Sequence, residues 1–330
     1  MLETRRAQTG DGPADRSADQ QIYHDRGPGG FVRRHGLVSF YALAFGLSWL
    51  AWLPYVLSQH GLGVVRVPFP REGELVGQLV GGLFGAYLGP LGAALVVTAL
   101  SEGRPGLGRW RGRLFRFGVG WKWYALAFLG VPALLVAGTL ALPGAAAGLS
   151  LPSLELLLVY VPFFVLQMLT TGLAEEPGWR DFALVRHQRR HGPLLGTLIL
   201  SVLWAGWHAP LFLTDWGAGI GGATPRTVLL FLGLCVTLSV VITWVFNRTN
   251  ESLPLAMVVH ASNNTFVSLL LVATFTTLDA TRDVLTGAVI GYGAFALVLV
   301  ALTRGRLGYR PEPQGEPQGE HSADAPAEAA

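Results

Sequence analysis

Long apolar runs separated by short polar connections make up most of the chain. Runs of about 20 apolar residues, the length that crosses roughly 30 Å of hydrocarbon, recur near residues 37–58, 75–100, 123–142, 154–175, 193–213, 227–246, 254–276 and 284–303. This pattern predicts an all-α, polytopic membrane protein with eight spans and a transmembrane bundle over residues 37–303. The polar flanks, residues 1–36 and 304–330, predict a disordered cytoplasmic arm and a disordered acidic tail.

The basic residues are distributed unevenly between the two sides of these spans. Alternate segments, residues 1–36, 101–122, 176–192, 247–253 and 304–330, carry 20 of the 24 Lys and Arg residues. Because basic residues favour cytoplasmic loops, both termini are predicted to be cytoplasmic.

Composition supports a membrane protein and excludes several other classes. With 51% hydrophobic residues, 14% charged residues and a mean hydropathy of +0.43, the chain has too little polar surface for a soluble globule. A single cysteine, Cys235, excludes an intrachain disulfide or a cysteine metal cluster. The net charge of +3 comes from loop residues, so we expect a lipid bilayer as partner and no nucleic acid. No GxGxxG, P-loop or Gly-x-Ser-x-Gly motif is present.

Three spans carry polar side chains where lipid-facing residues would be expected. Ionisable residues inside a membrane are costly, usually face the protein interior and mark functional sites. On a helix, positions four apart share a face. The candidate residues are Glu175, Glu176 and Arg180 near the fourth span, Trp204 and His208 in the fifth, and His260 and Asn264 in the seventh.

These residues resemble the motifs of one known family. Glu175 to Arg180 fit EExxxR, His208 fits the histidine of FxxxH, and His260 with Asn264 fits HxxxN. In this order they resemble the CAAX protease and bacteriocin-processing family of intramembrane endopeptidases, also called the Abi family, over residues 154–275. Trp204 replaces the usual phenylalanine, which keeps an aromatic wall and adds an N–H donor that needs a partner.

The resemblance implies hydrolysis of a membrane-associated protein or peptide. It makes Glu175 the general base, His208 its partner, and His260 with Asn264 the donors to the oxyanion. Glu176, Arg180 and Trp204 would hold the site or orient the substrate. Glu175, His208 and His260 could also bind zinc, although the same groups can activate water without metal. We expect weak or absent zinc dependence, because Asn264 is a poor zinc ligand and no compact ligand motif is present.

Helix length restricts how Glu175 and His208 can meet. If the fourth span ended at Glu176, His208 would lie about 22 Å from the cytoplasmic boundary, at 1.5 Å per residue, and Glu175 would lie almost on it. We therefore predict that this helix continues to about Arg186, with a kink at Pro177 and Gly178. The site is then expected in a wet cavity open to the cytoplasm.

Two other functional classes use the same intramembrane polar residues. A transporter would relay protons or bind a cation through them, although no inverted repeat relates the two halves of the chain. A non-catalytic scaffold would bind a peptide or a partner protein. The Ala-rich, Gly-rich composition with Arg in excess of Lys indicates a bacterial plasma membrane, where a prenylated substrate is not expected.

Overall fold

The computed structural model describes residues 28–66, 82–217, 223–279 and 281–311. Within these ranges eight helices are long and apolar enough to cross a membrane: α1 (Gly36–Leu57), α2 (Gly82–Leu114), α3 (Trp121–Leu140), α4 (Leu154–His191), α5 (Pro193–Leu213), α6 (Pro225–Arg248), α7 (Leu253–Thr274) and α8 (Arg282–Thr303). The same residues contain no β-strand, only an isolated bridge between Leu149 and Phe275. The predicted all-α class with eight candidate spans is confirmed.

Short helices lie outside the spans at Pro28–Arg34, Ala145–Gly148 and Asp215–Gly217. The first covers the last part of the segment predicted to be a disordered arm, and it packs against α2. Its Val32 contacts the apolar core, which a freely solvated arm would not do. Residues 1–27, residues 312–330 of the predicted tail and residues 75–81 of the second apolar run lie outside the described residues.

Glycines allow close contacts between helices at two places in the bundle. A Cβ added at Gly89 would lie 1.9 Å from Oγ of Ser48 on α1, so the four-residue glycine spacing in the second run is an intramolecular packing feature here, as predicted. Gly77 and Gly81 of that spacing lie outside the described residues. On the other side of the bundle, a Cβ at Gly138 of α3 would meet the backbone of α8 at Gly287 and Gly291.

Helix α4 is the longest span, and it continues past the carboxylate pair to His191. The sequence predicted continuation to about Arg186, and the structure confirms that the helix does not end at Glu176. Over Pro177–Leu184 it has wider π-helical turns where a kink was expected. Gly178 lets this segment approach α2, because a Cβ there would lie 2.5 Å from the carbonyl oxygen of Pro90.

Helices α4 and α5 form an antiparallel hairpin around Gly192. This residue has φ +80°, a left-handed value that glycine adopts without the steric cost of a side chain. The seven residues Val185–His191 pack along the start of α5. Glu175 lies 17 residues before the turn and His208 lies 16 residues after it. The two side chains are therefore brought to the same level of the bundle.

Ion pairs and hydrogen bonds join the helices at the end of the bundle that we call the basic face, which carries Arg113, Arg186 and Arg248. Arg113 bonds to Asp181 of α4 at 3.2 Å and also to Glu251, in the turn before α7. Arg186 pairs with Glu102 of α2. Of the described Lys and Arg residues, only Arg66, Arg226 and Arg282 lie at the opposite face.

Candidate active site

One carboxylate of the pair is held by two basic side chains. Glu176, fully buried, accepts a hydrogen bond of 2.9 Å from Nε of Arg180 and one of 2.8 Å from Nδ1 of His260. The i, i+4 spacing of Glu176 and Arg180 places them on one helix face, where they form an ion pair. The Arg180 guanidinium also lies over the ring of Trp204, 4.9 Å from its centroid. Glu176 therefore ties α4 to α7.

The other carboxylate is linked to His208 through Trp204. The indole Nε1 of Trp204 donates a hydrogen bond of 2.8 Å to Oε2 of Glu175, so the extra donor at this position has its partner. The carbonyl oxygen of Trp204 lies 2.8 Å from Nδ1 of His208. A carbonyl can only accept, so Nδ1 carries the hydrogen and Nε2 is left to act as an acceptor in the neutral ring.

Aromatic rings fix the orientation of His208. Its ring stacks on Trp216, with centroids 5.4 Å apart and planes 16° apart, and the ring of Phe231 meets it edge-on at 5.1 Å. His208 is the last residue before the 3₁₀ turn Ala209–Leu213, which begins where Pro210 prevents a further α-helical turn. The imidazole thus has a defined position at the end of the α-helical part of α5.

Two adjacent asparagines of α7, Asn263 and Asn264, lie near Glu175 and His208. Nδ2 of Asn263 donates to Oδ1 of Asn264 at 2.9 Å, and the hydroxyl of Tyr292 on α8 donates to Oδ1 of Asn263 at 3.0 Å. This chain of bonds uses Oδ1 of Asn264 and leaves its Nδ2 as a donor. Its neighbour on the same helix face, His260, has given Nδ1–H to Glu176, so its Nε2 can donate only in the imidazolium form.

A cavity of about 710 Å³ contains the part of the site that substrate could reach. Its walls include Glu175, His208, Asn263 and Asn264, whereas Glu176, Arg180, Trp204 and His260 stand behind them. The cavity extends past Asp215 and Thr281 towards the face opposite the basic face. On the side of the basic face lies the buried segment 174–185 of α4. The sequence predicted both a cytoplasmic basic face and an opening towards the cytoplasm, and these two predictions do not agree with one cavity that extends away from the basic face.

Six of the seven predicted site residues are connected by the contacts described above, and the seventh, Asn264, lines the same cavity as Glu175 and His208. The sequence did not single out Asn263, Tyr292 or Ser239, whose hydroxyl accepts from Nη1 of Arg180 at 3.4 Å. Ser239 and Tyr292 are isolated polar residues in apolar runs, which is the one signal that could have identified them. Asn263 was not singled out because it directly precedes Asn264, the residue that fits the motif.

The donor set does not fit a zinc site. The described residues contain no group of three His, Cys, Asp or Glu side chains placed to hold a metal ion. Of the three candidate ligands, Glu175 and His208 line the cavity, whereas His260 lies behind its wall with Nδ1 engaged by Glu176. A catalytic zinc centre takes three protein ligands around an open position, and these residues offer two.

The described residues form a helical bundle with a carboxylate and an imidazole in one internal cavity, and the segment of the chain that carries most of this site matches a known family model. Residues 155–266 match the family model "Type II CAAX prenyl endopeptidase Rce1-like". The resemblance to the CAAX protease family is thereby confirmed for this segment. The chain is also similar to the protein named CAAX prenyl protease 2 of Methanococcus maripaludis, 26% identical over 103 residues that cover 31% of this chain and 38% of that protein.

Proposed function

We propose that this protein is an intramembrane endopeptidase that hydrolyses peptide bonds with a water molecule activated by Glu175 and His208. The observation that carries the proposal is that both side chains line one cavity and are fixed by the same residue, Trp204, through bonds of 2.8 Å each. The match of residues 155–266 to a prenyl endopeptidase family supports the reaction class.

The chemistry assigned to each group follows from its hydrogen bonds. A water between the Glu175 carboxylate and Nε2 of His208 gives up a proton to the base as its oxygen attacks the substrate carbonyl. The oxyanion that forms takes a hydrogen bond from Nδ2 of Asn264, which lines the cavity. The proton then passes to the leaving amine, and the C–N bond breaks.

Glu176 and Arg180 have a positioning role in this proposal. Both are fully buried and neither lines the cavity, so they do not reach substrate. The carboxylate of Glu176 orients His260 through Nδ1, and Arg180 compensates the charge of Glu176 while packing against Trp204. The pair thus connects α4, which carries the general base, with α7, which carries the oxyanion donor Asn264.

The proposal is tested by removing the two groups separately and together. A comparison of cells carrying Glu175→Gln with wild-type cells identifies membrane peptides that accumulate in the variant. Such a peptide is then used as the substrate of the purified protein in detergent. Glu175→Gln and His208→Ala should each lower kcat by about 10²–10⁴-fold. The double variant should be little worse than either, because residues that act as one unit are strongly non-additive.

Glu155→Gln provides the matched control, since Glu155 is an exposed carboxylate in the first turn of the same helix. It should cleave like wild type. If Glu175→Gln melts like wild type and cleaves at a comparable rate, Glu175 is not part of the mechanism, and a scaffold or transporter using these residues becomes the better explanation.

A further inference from the structure

The walls of the cavity come from one end of the bundle. From His208 they continue along the chain through Leu211 to Asp215, which lies beyond the end of α5. They also include Trp52 in the last turns of α1 and Thr281 immediately before α8. All of these are helix ends at the face opposite the basic face. A molecule reaching Glu175 along this cavity therefore starts from that opposite face.

On the other side of Glu175 the protein is packed. Every residue from 174 to 185 is buried, and Phe40 of α1 packs against both Trp179, at 5.6 Å, and Phe182, at 4.8 Å between centroids. Beyond these rings lie the ion pairs of Arg113 with Asp181 and Glu251. The described residues on the basic side thus place two layers, one aromatic and one ionic, between the site and that face.

The distribution of basic residues orients these two faces in a membrane. Cytoplasmic loops are enriched in Lys and Arg, and 20 of the 24 such residues belong to the segments on the basic side. The basic face is then cytoplasmic, and the cavity leads to the non-cytoplasmic side of the membrane. This assignment reverses the direction from which the sequence alone led us to expect substrate.

The charges along the cavity restrict what can enter it. Its walls contain two carboxylates, Glu175 near the inner end and Asp215 near the outer end, and no Lys or Arg among the described lining residues. Asp215 also contacts His60, through Nδ1 at 2.7 Å. Most of the remaining wall is apolar or aromatic. A cavity lined by one sign of charge concentrates ligands of the opposite sign.

We propose, resting on the endopeptidase function above, that the substrate is an apolar polypeptide segment with basic residues that enters from the non-cytoplasmic side of the membrane. Its apolar side chains would contact the aromatic and aliphatic walls, and a basic side chain would lie near Asp215. A protein C-terminus presented from the cytoplasm would approach the packed side. Exported peptides and the outer ends of membrane proteins have the required location.

The direction of access is tested by cysteine labelling in a Cys235→Ala background. Ser268→Cys places a thiol in the cavity wall. Leu151→Cys reports the non-cytoplasmic face, since Leu151 is 93% exposed in the loop between α3 and α4, and Arg190→Cys reports the basic face. A membrane-impermeant maleimide is added to intact bacterial spheroplasts and to inverted vesicles. We expect the maleimide to label Ser268→Cys in spheroplasts, as it labels Leu151→Cys. It should label Arg190→Cys only in inverted vesicles.

Substrate charge is tested by protection of the same thiol. In a His208→Ala variant, which retains both carboxylates and should not consume the peptide, a short Leu- and Ala-rich peptide carrying lysines should slow the labelling of Ser268→Cys by about tenfold. The same peptide with glutamates in place of the lysines should not slow it. Asp215→Asn should weaken the protection, whereas Glu155→Gln should leave it unchanged.

Three results would overturn this inference. The first is that Ser268→Cys is labelled in inverted vesicles, as Arg190→Cys is. The second is that Ser268→Cys is not labelled from either side. The third is that the two peptides protect it equally. None of them depends on cleavage, so the endopeptidase proposal stands or falls separately with the Glu175→Gln and His208→Ala measurements.

Discussion

Trp204 has a role at the scale of single residues that the family motif does not contain. A phenylalanine at this position would supply the aromatic wall and the backbone carbonyl that fixes His208, but it has no N–H to donate to Glu175. The sequence indicated that the indole needed a partner and could not identify it, because Trp204 and Glu175 are 29 positions apart. Their contact depends on the hairpin of α4 and α5.

Trp204→Phe should therefore lower kcat more than it lowers stability. A hydrogen bond to a charged group is worth about 1.5–3 kcal/mol, so we expect kcat to fall by about tenfold or more, with KM little changed, in a steady-state cleavage assay. Trp207→Phe is the matched control, because its indole donates to Oγ of Ser48, at 2.7 Å, instead of to Glu175. An equal loss of kcat in both variants would contradict the positioning role.

Arg180 should matter for stability as well as for activity. Arg180→Ala leaves the fully buried Glu176 without its guanidinium partner, and breaking a buried ion pair costs about 3–5 kcal/mol. The thermal midpoint of the purified protein should fall together with activity. In the double variant Arg180→Met with Glu176→Gln, which removes both charges, much of the stability should return while activity stays low. A double variant as unstable as Arg180→Ala would show that the ion pair is not the cause.

Helix α4 shows, at the scale of the element, what the sequence could and could not predict. Hydropathy located its apolar half, and the need to bring Glu175 level with His208 predicted its continuation through charged residues. The π-helical turns of Pro177–Leu184 were not predicted, and within them Gly178 lies against the backbone of α2. No local signal in the chain reports that Gly178 would approach the carbonyl of Pro90.

Gly178→Ala tests the importance of this approach. Its Cβ would lie 2.5 Å from the Pro90 carbonyl oxygen, a backbone atom that cannot move without shifting α2. Overpacking of this kind costs about 1–3 kcal/mol, which should appear as a lower thermal midpoint in detergent. Gly206→Ala on α5 is the control, since nothing lies within 4 Å of its added Cβ and alanine favours a helix. A Gly178→Ala protein as stable as Gly206→Ala would argue against the tight contact.

Metal dependence is a property of the whole molecule, because the candidate ligands come from three helices. Weak or absent zinc dependence remains our prediction, and the geometry supports it by placing His260 behind the cavity wall. Purified protein should contain far less than one zinc per chain by elemental analysis, and chelation should leave cleavage unchanged. Stoichiometric zinc, with activity lost on chelation and restored by zinc, would contradict the prediction.

For the whole molecule, the sequence predicted the number of spans and the uneven distribution of basic residues between the two sides. Both depend on the preference of each residue type for lipid or water. The direction of the cavity does not. It depends on which side of Glu175 the π-helical segment and its aromatic neighbours fill, and this is decided by contacts among α1, α2 and α4. Residue depth alone gave no information on this packing, and it pointed to the basic face, whereas the cavity extends towards the opposite one.

The hairpin around Gly192 also restricts how this protein can change during evolution. Glu175 and His208 are level because the two arms, 17 and 16 residues long, are matched in length. A single inserted residue in one arm would move Glu175 or His208 by about 1.5 Å along the helix and rotate it by about 100°. Insertions and deletions within either arm should therefore be selected against, while the exposed turn itself can vary in length. The geometry of the hairpin thus restricts the spacing of Glu175 and His208 from this turn more than it restricts the identity of the residues between them.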